Sequence, residues 1–195
     1  FSEKEWSEYK TLVTKPVAEE LFFTDEAVQK LYTSTYGNPF FTKLLCSSIQ
    51  KNACVTHNSY ISEMEIEQAM SDALTGELQM DHFQHFIEDG LKGEETEIKT
   101  RMRDRAKFLF SVIQTSLGRN DSLLQISDVK QEGINHDIHN DLFDDLLYEF
   151  QARNIIQLSD GKFSFTMPLF YWFIGNRGEI ELPKLFREEE KIIKQ

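Results

Sequence analysis

Cysteine, proline, positive charge and long apolar runs are what this sequence has little of. Cys46 and Cys54 are its two cysteines, outside any C-x-x-C spacing. That excludes a zinc knuckle and a disulfide framework and fits free thiols in a reducing cytoplasm. No apolar run approaches the roughly 20 residues that cross a bilayer, so no membrane helix is expected. The N-terminus is acidic and amphipathic rather than basic and then apolar, which is not a signal-peptide pattern. Lys and Arg number 21 against 33 Asp and Glu, a net charge of −12. Non-specific nucleic-acid binding rests on neutralising phosphates with cations, so this balance opposes it. A G-x-x-x-x-G-K-S/T phosphate loop is missing, as is G-x-S-x-G. This stretch is therefore expected to catalyse nothing alone. The first residue is Phe rather than Met, which points to residues upstream.

What the chain does have is apolar weight at helical spacing. Its 195 residues are 40% hydrophobic and include 16 Phe, enough for a real core. The stretch the others are arranged around is Gly37-Asn38-Pro39. Gly37 supplies a positive φ at a helix end. Asn38 is a good N-cap, and Pro39 suits the first helical position, where a missing N–H costs nothing. Phe40, Phe41, Leu44, Leu45 and Ile49 then form one broad apolar helix face. Two helices meeting at a Gly/Pro apex are predicted.

The spacing predicts about five helices over residues 1–75 and no convincing strand. Ser2-x-x-Glu5 is a capping box for a helix over 2–12 carrying Trp6, Tyr9 and Leu12–Val13. Thr24 caps the next, with Asp25 and Glu26 favourable at its positive end. The helix from Pro39 is expected to stop near Lys51, before a loop over 52–61 with at most one short extended piece. Ser62-x-x-Glu65 opens another helix through Ile66, Ala69, Met70 and Ala73. Residues 76–104 read as a connector broken by Gly76, Gly90 and Gly93, with an amphipathic helix between and a solvated Glu94–Glu97 run.

From residue 105 the pattern becomes three helices and a hairpin. Phe108, Leu109, Val112 and Ile113 share one face over 105–117. A turn follows at Gly118–Asp121, then helices over 126–133 and 137–152. Ile155–Leu158 and Phe163–Thr166 flank Asp160-Gly161, a strong hairpin signal. This is the element order of a winged helix. Pro183 is expected to start an amphipathic tail holding Leu185, Phe186, the Glu188–Glu190 run, Ile192 and Ile193. The predicted class is mainly α: a helical bundle over 1–75, a connector over 76–104, a winged helix over 105–177 and a tail over 178–195.

The stretch Phe1–Trp6, Val13–Pro16, Phe23–Val28, Gly37–Phe41 and Leu44–Cys46 resembles the helical lid of AAA+ and STAND-type P-loop ATPases. His82–Leu91 resembles the connector between lid and winged helix in such proteins, and Met167–Phe173 the segment that closes the winged helix. The resemblance implies that Gly37, Asn38 and Pro39 lie on the adenine side of a bound ATP or ADP. Magnesium and the phosphate loop would belong to an upstream domain of the same chain. It implies no tightly held cofactor on this fragment by itself, a full-length ATPase, and protein–protein contact by the winged helix. Arg101, Arg103 and Arg105 cluster, but none matches the family's lid arginine by motif.

The pairs His82/His85 and His136/His139 share helix faces but lack a placed third ligand, so they read as structural. The third winged helix holds Asp137, Asp141, Asp144, Asp145 and Glu149 with no Lys or Arg, which disfavours a duplex. Two rivals stand beside the lid reading: a winged-helix transcription regulator, and a structural adaptor that never meets nucleotide.

Overall fold

The computed structural model describes residues 3–117 and 123–187. Ser2, the Gly118–Asp121 turn, the Glu188–Glu190 run and Ile192–Ile193 lie outside the described residues. The fold is mainly α. It divides into two compact units: one runs to Leu78 and takes in Met167–Leu169, the other holds Gln79–Thr166 and the residues from Phe170 onward.

The first unit contains α1 (Glu3–Thr14), α2 (Asp25–Thr35), α3 (Pro39–Thr56) and α4 (Glu63–Asp72), with β1 (Phe22–Phe23) and β2 (Tyr60–Ile61). Local chemistry sets its helix ends. The Thr24 hydroxyl accepts from Ala27 N at 3.1 Å. Ser62 and Glu65 cap reciprocally: Ser62 N donates to Glu65 Oε2 at 2.8 Å, and Met64 N to Ser62 Oγ at 3.3 Å. The Ser62 hydroxyl, more than any other group, holds the Glu65 carboxyl below its ordinary range. Ala27, Val28, Leu31, Leu45, Ile66 and Ala69 form a sealed centre.

Two expectations for this unit are corrected. First, β1 and β2 pair in parallel, Phe22 with Tyr60 and Phe23 with Ile61, where the sequence suggested no paired strand. Two residues on each side are too short for a period to show. Alternation still operates: Phe23 and Ile61 are buried, while Phe22 and Tyr60 stack outside at 5.8 Å. Second, α3 continues to Thr56 rather than stopping near Lys51. Ala53 is buried, the Asn52 amide donates to Asp72 at 2.8 Å, and His57 ends the helix in a left-handed conformation.

The second unit begins with a short 3₁₀ turn and α5 (Gln84–Glu88), followed by α6 (Glu95–Ser116), β3 (Leu124–Gln125), α7 (Ile126–Asn135), α8 (Asn140–Ala152), β4 (Ile156–Ser159), β5 (Lys162–Phe165) and, from Phe170, α9 (Pro168–Arg187). The sheet order is β3-β5-β4, antiparallel throughout. That is a winged-helix arrangement with one hairpin. Asp160 and Gly161 both have positive φ, 49° and 73°, as a type I′ turn requires. Phe108 lies at the centre, with Phe143 and Phe150 rings at 5.2 and 5.0 Å. Phe83 anchors the entry segment against Phe173 at 4.5 Å.

Two further expectations are corrected here. α6 starts at Glu95, ten residues before the apolar stripe, because Glu94 and Glu97 cap one another and Lys99 pairs with Glu95 at 2.6 Å. α9 also continues through Pro183, where the sequence suggested the start of a separate amphipathic tail. The ring removes one helix donor, but Leu182 and Pro183 are buried and the helix continues to Arg187.

Polar fastening holds α5 to the body of this unit. Arg105 is 1% exposed and donates to Ile87 O, to Asp89 O at 3.0 Å and to the Glu149 carboxylate. Arg101 donates to the other Glu149 oxygen at 2.9 Å. Arg153 donates to Phe86 O and His85 O, both at 2.8 Å. The two guanidiniums thus bind the backbone carbonyls at and just past the end of α5, where few intrahelical partners are left; His85 O also accepts from Asp89 N at 3.0 Å. Burial, and then the neighbouring Arg105 charge, push the Arg153 pKa down.

Removing one partner of a buried charge pair is costly, so Arg105→Met is expected to destabilise this unit by about 3–5 kcal/mol. Trp172 is the only tryptophan in the second unit and Trp6 the only one in the first. Urea unfolding followed through Trp172, with Trp6 replaced by Phe, reads that loss. A loss under about 1 kcal/mol, the value of an exposed pair, contradicts the account.

Candidate functional site

The corner expected at residues 37–39 is built by three backbone decisions. Tyr36 ends α2 in the left-handed region at φ 52°, and its N–H donates to Tyr32 O. Gly37 follows at φ 65°, where a Cβ would sit 2.6 Å from Tyr32 Cε2. Asn38 returns to extended backbone, and its Oδ1 accepts from Phe40 N at 3.0 Å and Phe41 N at 3.4 Å. Pro39 then opens α3.

A buried hydroxyl relay pins the corner from behind. Thr35 spends its one hydroxyl proton on Leu31 O at 2.9 Å. The 3.1 Å contact between Thr35 and Thr42 is therefore donated by Thr42, and the 3.1 Å contact between Tyr9 and Thr42 by Tyr9. The order is Tyr9 to Thr42 to Thr35 to the α2 backbone, which ties α1, α2 and α3 together. Burial raises the Tyr9 pKa to about 12. The sequence reading missed this relay, because threonines inside helices carry no periodic signal.

Pro39 and Phe40 are exposed at the corner, and Gly37 and Asn38 are half-buried. Two hollows flank it. On the Pro39 side lies an apolar groove of about 540 Å³, lined by Val13, Pro16, Val17, Phe23, Pro39 and Cys46 among others, with Lys43 as its cation. Burial pushes the Cys46 thiol up to about 11, so it stays protonated and is no nucleophile at neutral pH. On the Gly37 side lies a hollow of about 410 Å³ lined by Tyr9, Tyr32, Tyr36, Glu5 and Glu8. A flat, uncharged ring fits the first by size and lining. Phosphate groups do not fit the second, whose carboxylates would repel them. The first groove is lined mostly by apolar side chains, and the second by aromatic and acidic ones.

The remaining sequence candidates are scattered. His82 Nδ1 accepts from Gln79 N at 3.2 Å, and His85 packs on Phe86 with centroids at 4.1 Å. His136 pairs with Glu132 at 3.1 Å, and His139 precedes α8 as its N-cap. Among the described residues no three His, Cys, Asp or Glu gather as a metal site. Arg101 and Arg105 are taken up by Glu149. Glu149 therefore turns inward, while Asp141, Asp144, Asp145 and Tyr148 form the exposed face of α8.

The chain matches no protein-family model, no curated protein and no solved structure.

Two expected outcomes follow from the corner. Gly37→Ala is expected to cost about 1–3 kcal/mol, from positive φ and the displaced Tyr32 ring, against about 1 kcal/mol for Asn38→Ala, a lost cap. Urea midpoints read through Trp6, with Trp172 replaced by Phe, check the order; a neutral Gly37→Ala contradicts it. The second outcome concerns alkali. The Tyr9 pKa rises from the ordinary 10 to about 12 on folding, so the folded state holds that proton more tightly. The resulting stability, about 2–3 kcal/mol, is present below pH 10 and lost as pH climbs towards 12. Thermal melts across this range should fall more steeply for the native chain than for Tyr9→Phe. Parallel falls contradict the burial of the Tyr9 hydroxyl.

Proposed function

We propose that this chain is the helical lid and winged-helix end of a P-loop ATPase of the AAA+/STAND kind. The observation that carries the reading is the exposed Gly37-Asn38-Pro39 corner beside an apolar groove. Pro39, backed by Val13 and Phe23, would cover one face of the adenine. Gly37 and Asn38 would keep the apex narrow enough for α3 to approach it. Bound ATP supplies the phosphoanhydride chemistry, and an upstream domain of the same chain would hold the phosphates and magnesium.

In this reading the fragment alone is not an enzyme and the whole protein is. A change from ATP to ADP would alter the lid's hold on the base. The winged helix would make protein contacts rather than read DNA. The exposed face of α8 supports that choice: Asp141, Asp144 and Asp145 point outward, with Lys130 on Asp144 at 2.7 Å the only cation paired there among the described residues. Phosphates would meet repulsion on such a face. No helix among the described residues is long and apolar enough to cross a membrane, and the reading places the protein in the cytoplasm.

The test uses the full-length gene product and a fluorescent ATP analogue. Pro39 is exposed at the first helical position, so Pro39→Ala keeps the fold. It removes about 1 kcal/mol of apolar contact with the base, a loss of roughly fivefold in affinity. Binding unchanged by Pro39→Ala, or no binding at all, contradicts the proposal and favours a structural adaptor. Tight, salt-sensitive duplex binding favours the regulator.

A further inference from the structure

The hollow on the Gly37 side has chemistry of its own, independent of the ATPase reading. α1 sets Glu5, Glu8 and Tyr9 at i, i+3 and i+4, a single helix face. The last turn of α2 sets Tyr32 and Tyr36 against it. Tyr9 and Tyr32 meet edge to face, with centroids at 4.9 Å and planes at 83°. That contact buries most of Tyr9 against Tyr32, so Tyr32 and the exposed Tyr36 supply most of the aromatic surface of the hollow. Gly37 leaves the Tyr32 ring its position, since any Cβ there would displace it. Glu5, Glu8 and Tyr36 are exposed, so the hollow is open to solvent along its carboxylate rim.

Aromatic faces carry negative quadrupole density, and a cation placed over them gains about 0.5–2 kcal/mol. Two carboxylates on the rim add to the same preference. Among the described residues that line the hollow there is no Lys or Arg. Lys4 reaches Glu8 at 3.8 Å from a position 85% exposed, a loose pair that a better-placed cation displaces. Tyr32 reports the same negative surroundings: burial first, then Tyr36 and Glu5 beside it, raise its pKa. Among cations, a guanidinium suits the site better than an ammonium. It is flat, stacks on rings, and its fork of donors meets carboxylates in pairs. An open mouth with charge at the rim receives a protruding side chain more readily than it encloses a small molecule.

We propose that the hollow formed by Tyr9, Tyr32 and Tyr36 under the Glu5/Glu8 rim takes the arginine side chain of a protein partner.

The test is a two-dimensional amide NMR titration of the 195-residue chain with Nα-acetyl-arginine methylamide at low salt. The citrulline analogue serves as the uncharged isostere, and the lysine analogue as the rival cation. The arginine probe is expected to shift amides within 5–9 and 32–37 and to bind more tightly than either analogue. Replacing Glu5 and Glu8 together by Gln touches exposed side chains only and is expected to weaken binding roughly fivefold. Tyr36→Ala is a second, separate variant and is expected to weaken it roughly threefold. Melting curves of both variants verify the fold. The proposal is overturned if citrulline or lysine binds as well as arginine, if the shifts fall outside those segments, or if neither variant changes the affinity.

Discussion

The left-handed backbone at Tyr36 and Gly37 is the constraint from which the first unit is laid out. It turns the chain within two residues, so α3 starts where Asn38 can cap it and Thr42 can reach both Thr35 and Tyr9. Only glycine tolerates the second of these positions, because the Tyr32 ring occupies the space of a side chain. Tyr32 is held in turn by Tyr9, the first member of the hydroxyl relay. Backbone conformation, ring packing and buried hydrogen bonding thus support one another at a single corner. Each buried bond of this kind is worth about 1 kcal/mol net, and more is lost when one partner is removed and the other left unsatisfied.

The second unit solves a different problem. Its entry segment is short and is held by both apolar and polar contacts: Ile87 is buried and the Phe86 ring meets Phe170 at 4.5 Å. Phe83 supplies a further apolar anchor, and the guanidiniums of Arg105 and Arg153 add polar ones through backbone carbonyls. Glu149 then neutralises Arg105 and Arg101 together. A charge so deeply placed is tolerable because a carboxylate and two carbonyls meet its terminal nitrogens. Arg105 Nε is, among the described residues, the one buried side-chain nitrogen or oxygen with no hydrogen-bond partner.

The parts of the fold legible in the sequence are those written in periodic or capping residues. The Thr24 and Ser62 caps, the Asn38 cap with Pro39 behind it, and the Asp160-Gly161 hairpin each lie where local chemistry puts them. What could not be read was set by partners distant in sequence. The first three turns of α6 look like a solvated linker because their stabilising contacts are ionic. Arg105 did leave a trace, since it shares the apolar stripe of Phe108, Leu109 and Val112. An arginine on such a stripe signals a buried partner, and Glu149 lies on the same face of α8 as Leu146. The corner itself was legible, but the two unlike hollows beside it were not. They depend on α1 and on the segment after it, which no local pattern ties to residues 37–39.

In the proposed reading, function would follow from the asymmetry of the corner. One side is an apolar groove, and the other an aromatic and acidic hollow. A base would therefore be met by Pro39 and not by Gly37's hollow. Photolabelling the full-length gene product with 8-azido-ATP tests this most directly, because the reactive nitrene sits on the base. The account predicts label in the peptide spanning residues 36–43, suppressed by unmodified ATP. Label confined to other peptides, or label there that ATP fails to suppress, contradicts it.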